Sequence, residues 1–289
     1  MREKLNILIH GEPKSGKTTF AVRKNPGVLI LDTEGSSKLV KGVKREVITS
    51  MAQMDVVLNR IKSGEVTTVV IDTLDELVNN FAKQETVRKG GDNVQTNGQL
   101  TIKGYGVLRD RFLTLTRAYR DAGADVLTIC HSELVEKPEG GKKWAMKLPS
   151  DYAREVMAMM DVVGFLEVAR TGKEDVRRVH FRKTPHFDAG CRLVYDAVED
   201  KRIDVLPPHV DDPSLIDVIR AYDNFFDGDG RGYLTCGACK VETATQKAVS
   251  PKGNEYDLCD KCCAVVKAKW EEETKEPFET NNPDRAKAQ

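Results

Sequence analysis

Residues Gly11 to Thr18 read GEPKSGKT, and the spacing of the glycines, Lys17 and Thr18 is that of the phosphate-binding loop G-x-x-x-x-G-K-[ST]. An apolar run, Leu5 to Ile9, precedes it and a helix-like run, Lys17 to Lys24, follows. In this context the glycines let backbone N–H groups converge on phosphate oxygens. The lysine reaches the β- and γ-phosphates, and the Ser/Thr hydroxyl ligates Mg²⁺. The stretch therefore predicts a nucleoside triphosphate site built by Gly11, Glu12, Pro13, Lys14, Ser15, Gly16, Lys17, Thr18 and Thr19.

Outward from the loop, short apolar runs at Val28 to Leu31, Val69 to Ile71, Val126 to Cys130 and Val162 to Val168 read as further buried strands. Between them, Met54, Val57, Leu58 and Ile61 keep helical spacing, as do Leu108, Phe112, Leu115 and Tyr119, while Asn25-Pro26-Gly27 punctuates the first helix. The alternation predicts a doubly wound α/β core with a mostly parallel sheet. Arg178 to Val198 reads as strands joined by a turn at Asp188-Ala189-Gly190, and Leu215 to Phe226 as one more helix. Asp227-Gly228-Asp229-Gly230-Arg231-Gly232 lacks the remaining carboxylates of a calcium loop and reads as a linker. The expected organisation is a core over 1–226, a linker over 227–234, a zinc ribbon over 235–270 and a disordered tail over 271–289.

The strand at Val69 to Ile71 delivers Asp72 to the sheet edge beside the phosphate loop, where a carboxylate joins Thr18 in holding Mg²⁺. Asp72 and Thr73 also suit a helix start, since Leu74 to Phe81 follows. Glu34 lies just past the second strand, in Asp32-Thr33-Glu34-Gly35, and is the candidate general base for an attacking water. Asp75 and Glu76 are rivals that a helix would turn toward solvent or a cap. His131 ends the strand Val126 to Cys130 and is a candidate sensor of the γ-phosphate; Lys17 completes the catalytic set.

Two long segments, Lys83 to Lys103 and Ser132 to Pro149, lack strong apolar periodicity and read as mobile basic loops. Arg88, Lys89, Lys103, Lys142, Lys143 and Lys147 would neutralise phosphates, and Trp144 or Tyr105 would stack on bases, a combination suited to single-stranded DNA. Lys+Arg and Asp+Glu both total 45, so any such binding rests on a local surface and not on a global field.

Cys236-Gly-Ala-Cys239 and Cys259-Asp-Lys-Cys262 are separated by 19 residues, within the spacing of about 15 to 20 typical of a four-cysteine zinc site. A closed thiolate shell predicts structural Zn²⁺, with Cys263 a bystander and Cys130 and Cys191 in or near the core. No apolar run reaches the ~20 residues of a membrane span, and no secretory leader is evident, so a soluble cytoplasmic protein is expected.

GEPKSGKTT, VLILDTEGS, VVIDTLDEL, VLTICHSE and FRKTPHFDAGCRL together resemble the phage P-loop nucleotide-binding proteins, and more narrowly the RecA-like branch of the Sak single-strand annealing proteins. The resemblance covers about Leu5 to Val198 and leaves out the cysteine-rich region. It implies a RecA-type core that binds ATP, Mg²⁺ and single-stranded DNA, forms homo-oligomers and promotes annealing or strand exchange, in the cytoplasm of the host cell if phage-encoded. It also implies a catalytic glutamate after the second core strand, matching Glu34, and a γ-phosphate reader where His131 stands. A basic residue donated by a neighbouring subunit would be Arg182 or Lys183. Other readings are an AAA-type motor or loader, and a nucleotide-dependent switch that recruits a partner such as a single-strand-binding protein.

Overall fold

The computed structural model describes residues 3–171, 174–196, 200–227, 246–249, 255–258, 260–274 and 280–281. The apolar run before the phosphate loop becomes β1 (Asn6–Gly11), buried at every position as a strand in a sheet covered on both faces must be. α1 (Lys17–Val22) is shorter than its apolar pattern suggests, because Lys24 takes a φ of 61° ahead of Asn25-Pro26. β2 (Leu29–Asp32) is also wholly buried, whereas β3 (Lys44–Val47) is an edge strand of sequence KREV with no apolar run to read. α2 (Met51–Lys62) buries Met54, Val57, Leu58 and Ile61 at the predicted spacing, and the Ser50 hydroxyl caps it by accepting from Gln53 N. β4 (Thr68–Asp72) leads into α3 (Leu74–Glu76), which passes through a π-helical Leu77–Ala82 into α4 (Lys83–Lys89). α5 (Ile102–Arg120), capped by Thr101, buries Leu108, Phe112, Leu115 and Tyr119 as expected.

The chain continues through β5 (Asp125–Glu136), β6 (Lys142–Met146), α6 (Ser150–Met159), β7 (Val162–Thr171) and β8 (Glu174–His180). Short strands follow: β9 (Gly190–Cys191), β10 (Val194–Asp196), β11 (Lys201–Ile203) and β12 (His209–Asp211), then α7 (Leu215–Asp227). The main sheet runs β12-β8-β7-β1-β5-β4-β2-β3. Its pairs from β7 to β3 are parallel, and β8, β12, β9 and β6 are antiparallel additions. The architecture is thus the mixed α/β, mostly parallel sheet that the apolar rhythm predicts. β5 lies between β1 and β4, and the register sets Gly11 opposite His131 and Asp32 opposite Asp72. Those strand ends share one edge of the sheet.

Both segments expected as mobile basic loops prove to be regular structure. Lys83 to Lys103 holds α4, a single 3₁₀ turn at Gly91–Asn93 and the start of α5. Its buried anchors, Thr86 and Leu100, are too widely spaced among charges to show as a periodic stripe. Ser132 to Pro149 holds the β5–β6 hairpin, turned at Gly140 and Gly141 with φ of 91° and 82°, where side-chain-bearing residues are strained.

The chain divides into two compact units, Arg2–Ile219 and Arg220–Gln289, with the break inside α7, ahead of the linker expected over 227–234. In the second unit β13 (Gln246–Val249) pairs with β14 (Glu255–Leu258), and α8 (Asp260–Thr274) follows. β15 (Thr280–Asn281) adds to β13. The tail expected to be disordered from 271 therefore contributes helix to Thr274 and a strand pair at Thr280–Asn281, and the rest of it lies outside the described residues.

Candidate active site

The phosphate loop joins β1 to α1 and is drawn tightly against the sheet. A Cβ at Gly11 would sit 2.2 Å from Leu166 O, and Gly16 adopts a φ of 102°, so neither position tolerates a side chain. Lys17 is buried and donates to Gly11 O at 2.9 Å and Glu12 O at 2.6 Å. Burial lowers its pKa, opposed first by the negative charge of Asp72. Ser15 Oγ is buried with no partner among the described residues, an orphaned hydroxyl that a phosphate oxygen would satisfy.

Asp72 ends β4 almost wholly buried; its Oδ2 accepts from Thr18 Oγ1 at 2.8 Å and from Ser36 Oγ at 3.1 Å. Burial pushes its pKa up, against the lowering effect of those two hydroxyls. A buried carboxylate with two hydroxyl oxygens around it is a hard, all-oxygen donor set suited to Mg²⁺. Ser36 joins Thr18 and Asp72 there, and the sequence reading missed it; the hydroxyl pair Ser36-Ser37 after Gly35 was the available signal. Among the described residues no cluster of three or more His, Cys, Asp and Glu side chains has metal-holding geometry.

Asp32 organises the loop after β2. Its carboxylate, fully buried, accepts from Gly35 N at 2.6 Å, Ser37 Oγ at 2.6 Å and Arg45 Nε at 2.7 Å. Burial alone would raise its pKa, but Ser37, Arg45 and Gly35 outweigh it and hold the group below the usual range. Thr33 ties this loop to β4, donating to Thr73 O at 2.9 Å and accepting from Thr73 N at 2.7 Å. Glu34 is thus presented from a clamped turn.

The Glu34 carboxylate is 44% exposed and lies 3.8 Å from His131 Nε2. Burial raises its pKa; His131 opposes this, and Asp75 and Asp72 add to it. Asp75 holds the histidine from the other side, accepting from His131 N at 3.0 Å and facing its Nδ1 at 3.1 Å. Burial would lift the pKa of Asp75, but its bonds with His131 prevail and lower it. A carboxylate committed in this way orients His131 and is not available to activate water. Glu76, the other rival, accepts from Asn80 along its own helix.

One strand behind, His10 is fully buried between Ser132 Oγ (2.8 Å from Nδ1) and Asp188 O (2.6 Å from Nε2). Burial lowers its pKa to about 4, so it is neutral at physiological pH.

The remaining candidates are dispersed. Arg182 pairs with Asp204 at 2.8 Å and donates to Leu206 O, and Lys183 lies 3.7 Å from Asp188. Lys89, Lys103 and Lys143 pair with Glu85, Asp92 and Asp188 at 3.1, 3.0 and 2.7 Å. Arg88, Lys142 and Lys147 are exposed. Trp144 is half-buried, its ring stacked 6.4 Å from Phe165, which takes it out of the role of an open stacking platform. Cys236, Cys239 and Cys259 lie outside the described residues; Cys262 is on α8.

A phosphate loop at the edge of a mostly parallel sheet, with an acidic strand end two strands away, defines a P-loop nucleotide-binding domain. A family model described as "AAA domain" matches residues 3–193, and the chain belongs to that family. Among solved structures the fold is similar to that of a KaiC-like protein of the hyperthermophilic archaeon Pyrococcus horikoshii. That likeness has 14% identity and a TM-score of 0.40, over 74% of this chain and 91% of the other. Comparison with curated proteins gave no match. Among the described residues no helix is long and apolar enough to cross a membrane.

Proposed function

We propose that this P-loop ATPase domain serves an ATP-dependent, single-stranded-DNA-binding protein of the phage recombination or annealing type, with a RecA-like core whose turnover DNA stimulates. The observation that carries the reading is β5. One uninterrupted strand runs from the core, past His131 at the nucleotide edge, to Glu136 and into a hairpin that carries Lys142 and Lys143, with Lys147 just beyond.

Lys17 leaves its two loop carbonyls for the β- and γ-phosphate oxygens, and Thr18, Ser36 and Asp72 would hold Mg²⁺. Magnesium, when bound, neutralises charge on the phosphates. Glu34 accepts a proton from water as its oxygen bonds to the γ-phosphorus and the bond to the β-phosphate oxygen breaks. Asp75 fixes the His131 ring so that Nε2 faces Glu34 and the space beside the γ-phosphate. Lys142, Lys147 and Arg88 supply exposed charge for the DNA backbone, and Cys236, Cys239, Cys259 and Cys262 form a zinc ribbon outside the ATPase core. Homo-oligomers and a single-strand-binding protein are the expected partners. A second reading is an AAA-type motor or loader acting on a protein partner.

An ATPase assay with and without single-stranded DNA, blanked by Lys17→Ala, separates these. DNA is expected to raise the wild-type rate severalfold. A rate that DNA leaves unchanged would remove the recombination reading and leave the loader.

A further inference from the structure

Asp72, Glu34 and His131 mark where the γ-phosphate end belongs, on the β5–β4 side of β1. A triphosphate seated there leaves the loop by the opposite flank, past Thr18 and Thr19. On that flank, toward β7 and β8, a cleft of about 300 Å³ is lined by Thr19, Phe20, Leu166, Arg177, Val179 and Asp212. Its walls are mixed: Phe20, Leu166 and Val179 offer apolar surface for a planar base, and Thr19, Arg23 and Asp212 offer polar groups for its edge and the ribose.

Arg177 reaches from β8 back over the phosphate loop. A Cβ built on Gly16 would lie 2.4 Å from Arg177 Nε and 2.5 Å from its Cδ. The backbone beneath is clamped, Arg177 N donating to Asp212 Oδ1 at 3.2 Å and Asp212 N to Arg177 O at 2.6 Å. The neighbouring arginines are committed: Arg178 is bidentate to Asp211 at 2.6 and 2.8 Å, and Arg23 donates to Asp212 O at 2.5 Å. The Arg177 guanidinium makes no hydrogen bond or ion pair among the described residues. A planar cation held without an acceptor beside the apolar walls of Phe20, Leu166 and Val179 is arranged for a π-face.

We infer that this cleft takes the nucleoside end of the triphosphate and that Arg177, from the same chain, closes it by stacking on the base. The inference rests on the phosphate-loop reading above. It is tested on the full chain with Mg²⁺ by titration calorimetry, comparing ATP with inorganic tripolyphosphate, which has no base. Arg177→Ala is expected to weaken ATP about tenfold, the scale of a partly desolvated cation–π contact, and to leave tripolyphosphate unchanged. Lys17→Ala is expected to abolish both. Unchanged ATP affinity in Arg177→Ala, or equal weakening of both ligands, overturns the stacking role while the phosphate-loop reading stands. Failure of the wild-type chain to bind either ligand removes both together.

Discussion

Glu34 is the general base we propose, and its environment sets two expectations. Glu34→Gln keeps the shape and removes the base, so turnover is expected to fall about 10²- to 10⁴-fold while ATP affinity measured by calorimetry is retained. Near-normal turnover would exclude Glu34 from proton transfer. Because burial raises its pKa, the ionised base is lost at higher pH than for an ordinary glutamate, so kcat should decline as pH falls through that raised value. His10 makes the complementary prediction for stability. Folded, it titrates at about 4, whereas an unfolded histidine titrates near 6.5, so between those values the unfolded state binds more protons and stability rises with pH. The span amounts to about 3 kcal/mol, and urea midpoints at either end should show it in the wild type and lose it in His10→Gln. The placement of Lys17, Thr18, Asp72 and Glu34 was legible because a phosphate loop and strand ends leave fixed spacing in the sequence. Asp75 and Arg177 were not, since what they do depends on partners 56 residues away for Asp75 and on a loop reached across the sheet for Arg177.

The loop from Asp32 to Ser37 behaves as one unit, with a single buried carboxylate gathering its N–H and hydroxyl donors. Asp32→Ala is expected to destabilise the fold by about 3 kcal/mol in urea unfolding, and to slow turnover although Glu34 remains in place. Buried strands and amphipathic helices announced themselves because apolar burial on two faces or one stripe leaves a period in the sequence. The hairpin and α4 did not, as their outward charges dominate composition while a few separated residues hold them in place. That ordering sharpens the DNA-contact expectation. Lys142→Ala and Lys147→Ala should each reduce the salt slope of single-stranded DNA binding by about 0.7, whereas Lys143→Ala should change it less because Asp188 already takes up that charge. Equal slopes in all three variants and the wild type would move the DNA path off the hairpin.

For the molecule as a whole, the division into an ATPase unit and a smaller second unit follows from where apolar residues are dense enough to build a core. In the proposed zinc ribbon, Cys236, Cys239, Cys259 and Cys262 would supply the metal that holds the second unit together. Elemental analysis is expected to find about one zinc per chain, and chelation should unfold the second unit without abolishing ATP binding by the first. Metal-free protein with an unchanged unfolding profile would end the ribbon assignment. The fold class could be read in advance because alternating apolar runs specify a layered sheet, whereas the insertion of β5 between β1 and β4 could not, being a matter of which strands pair. β5 reaches from Asp125 to Glu136 without a break after His131, so one strand joins the proposed arm to the engine. Replacing Lys142 and Lys147 together should therefore disarm the lever while its motor keeps running.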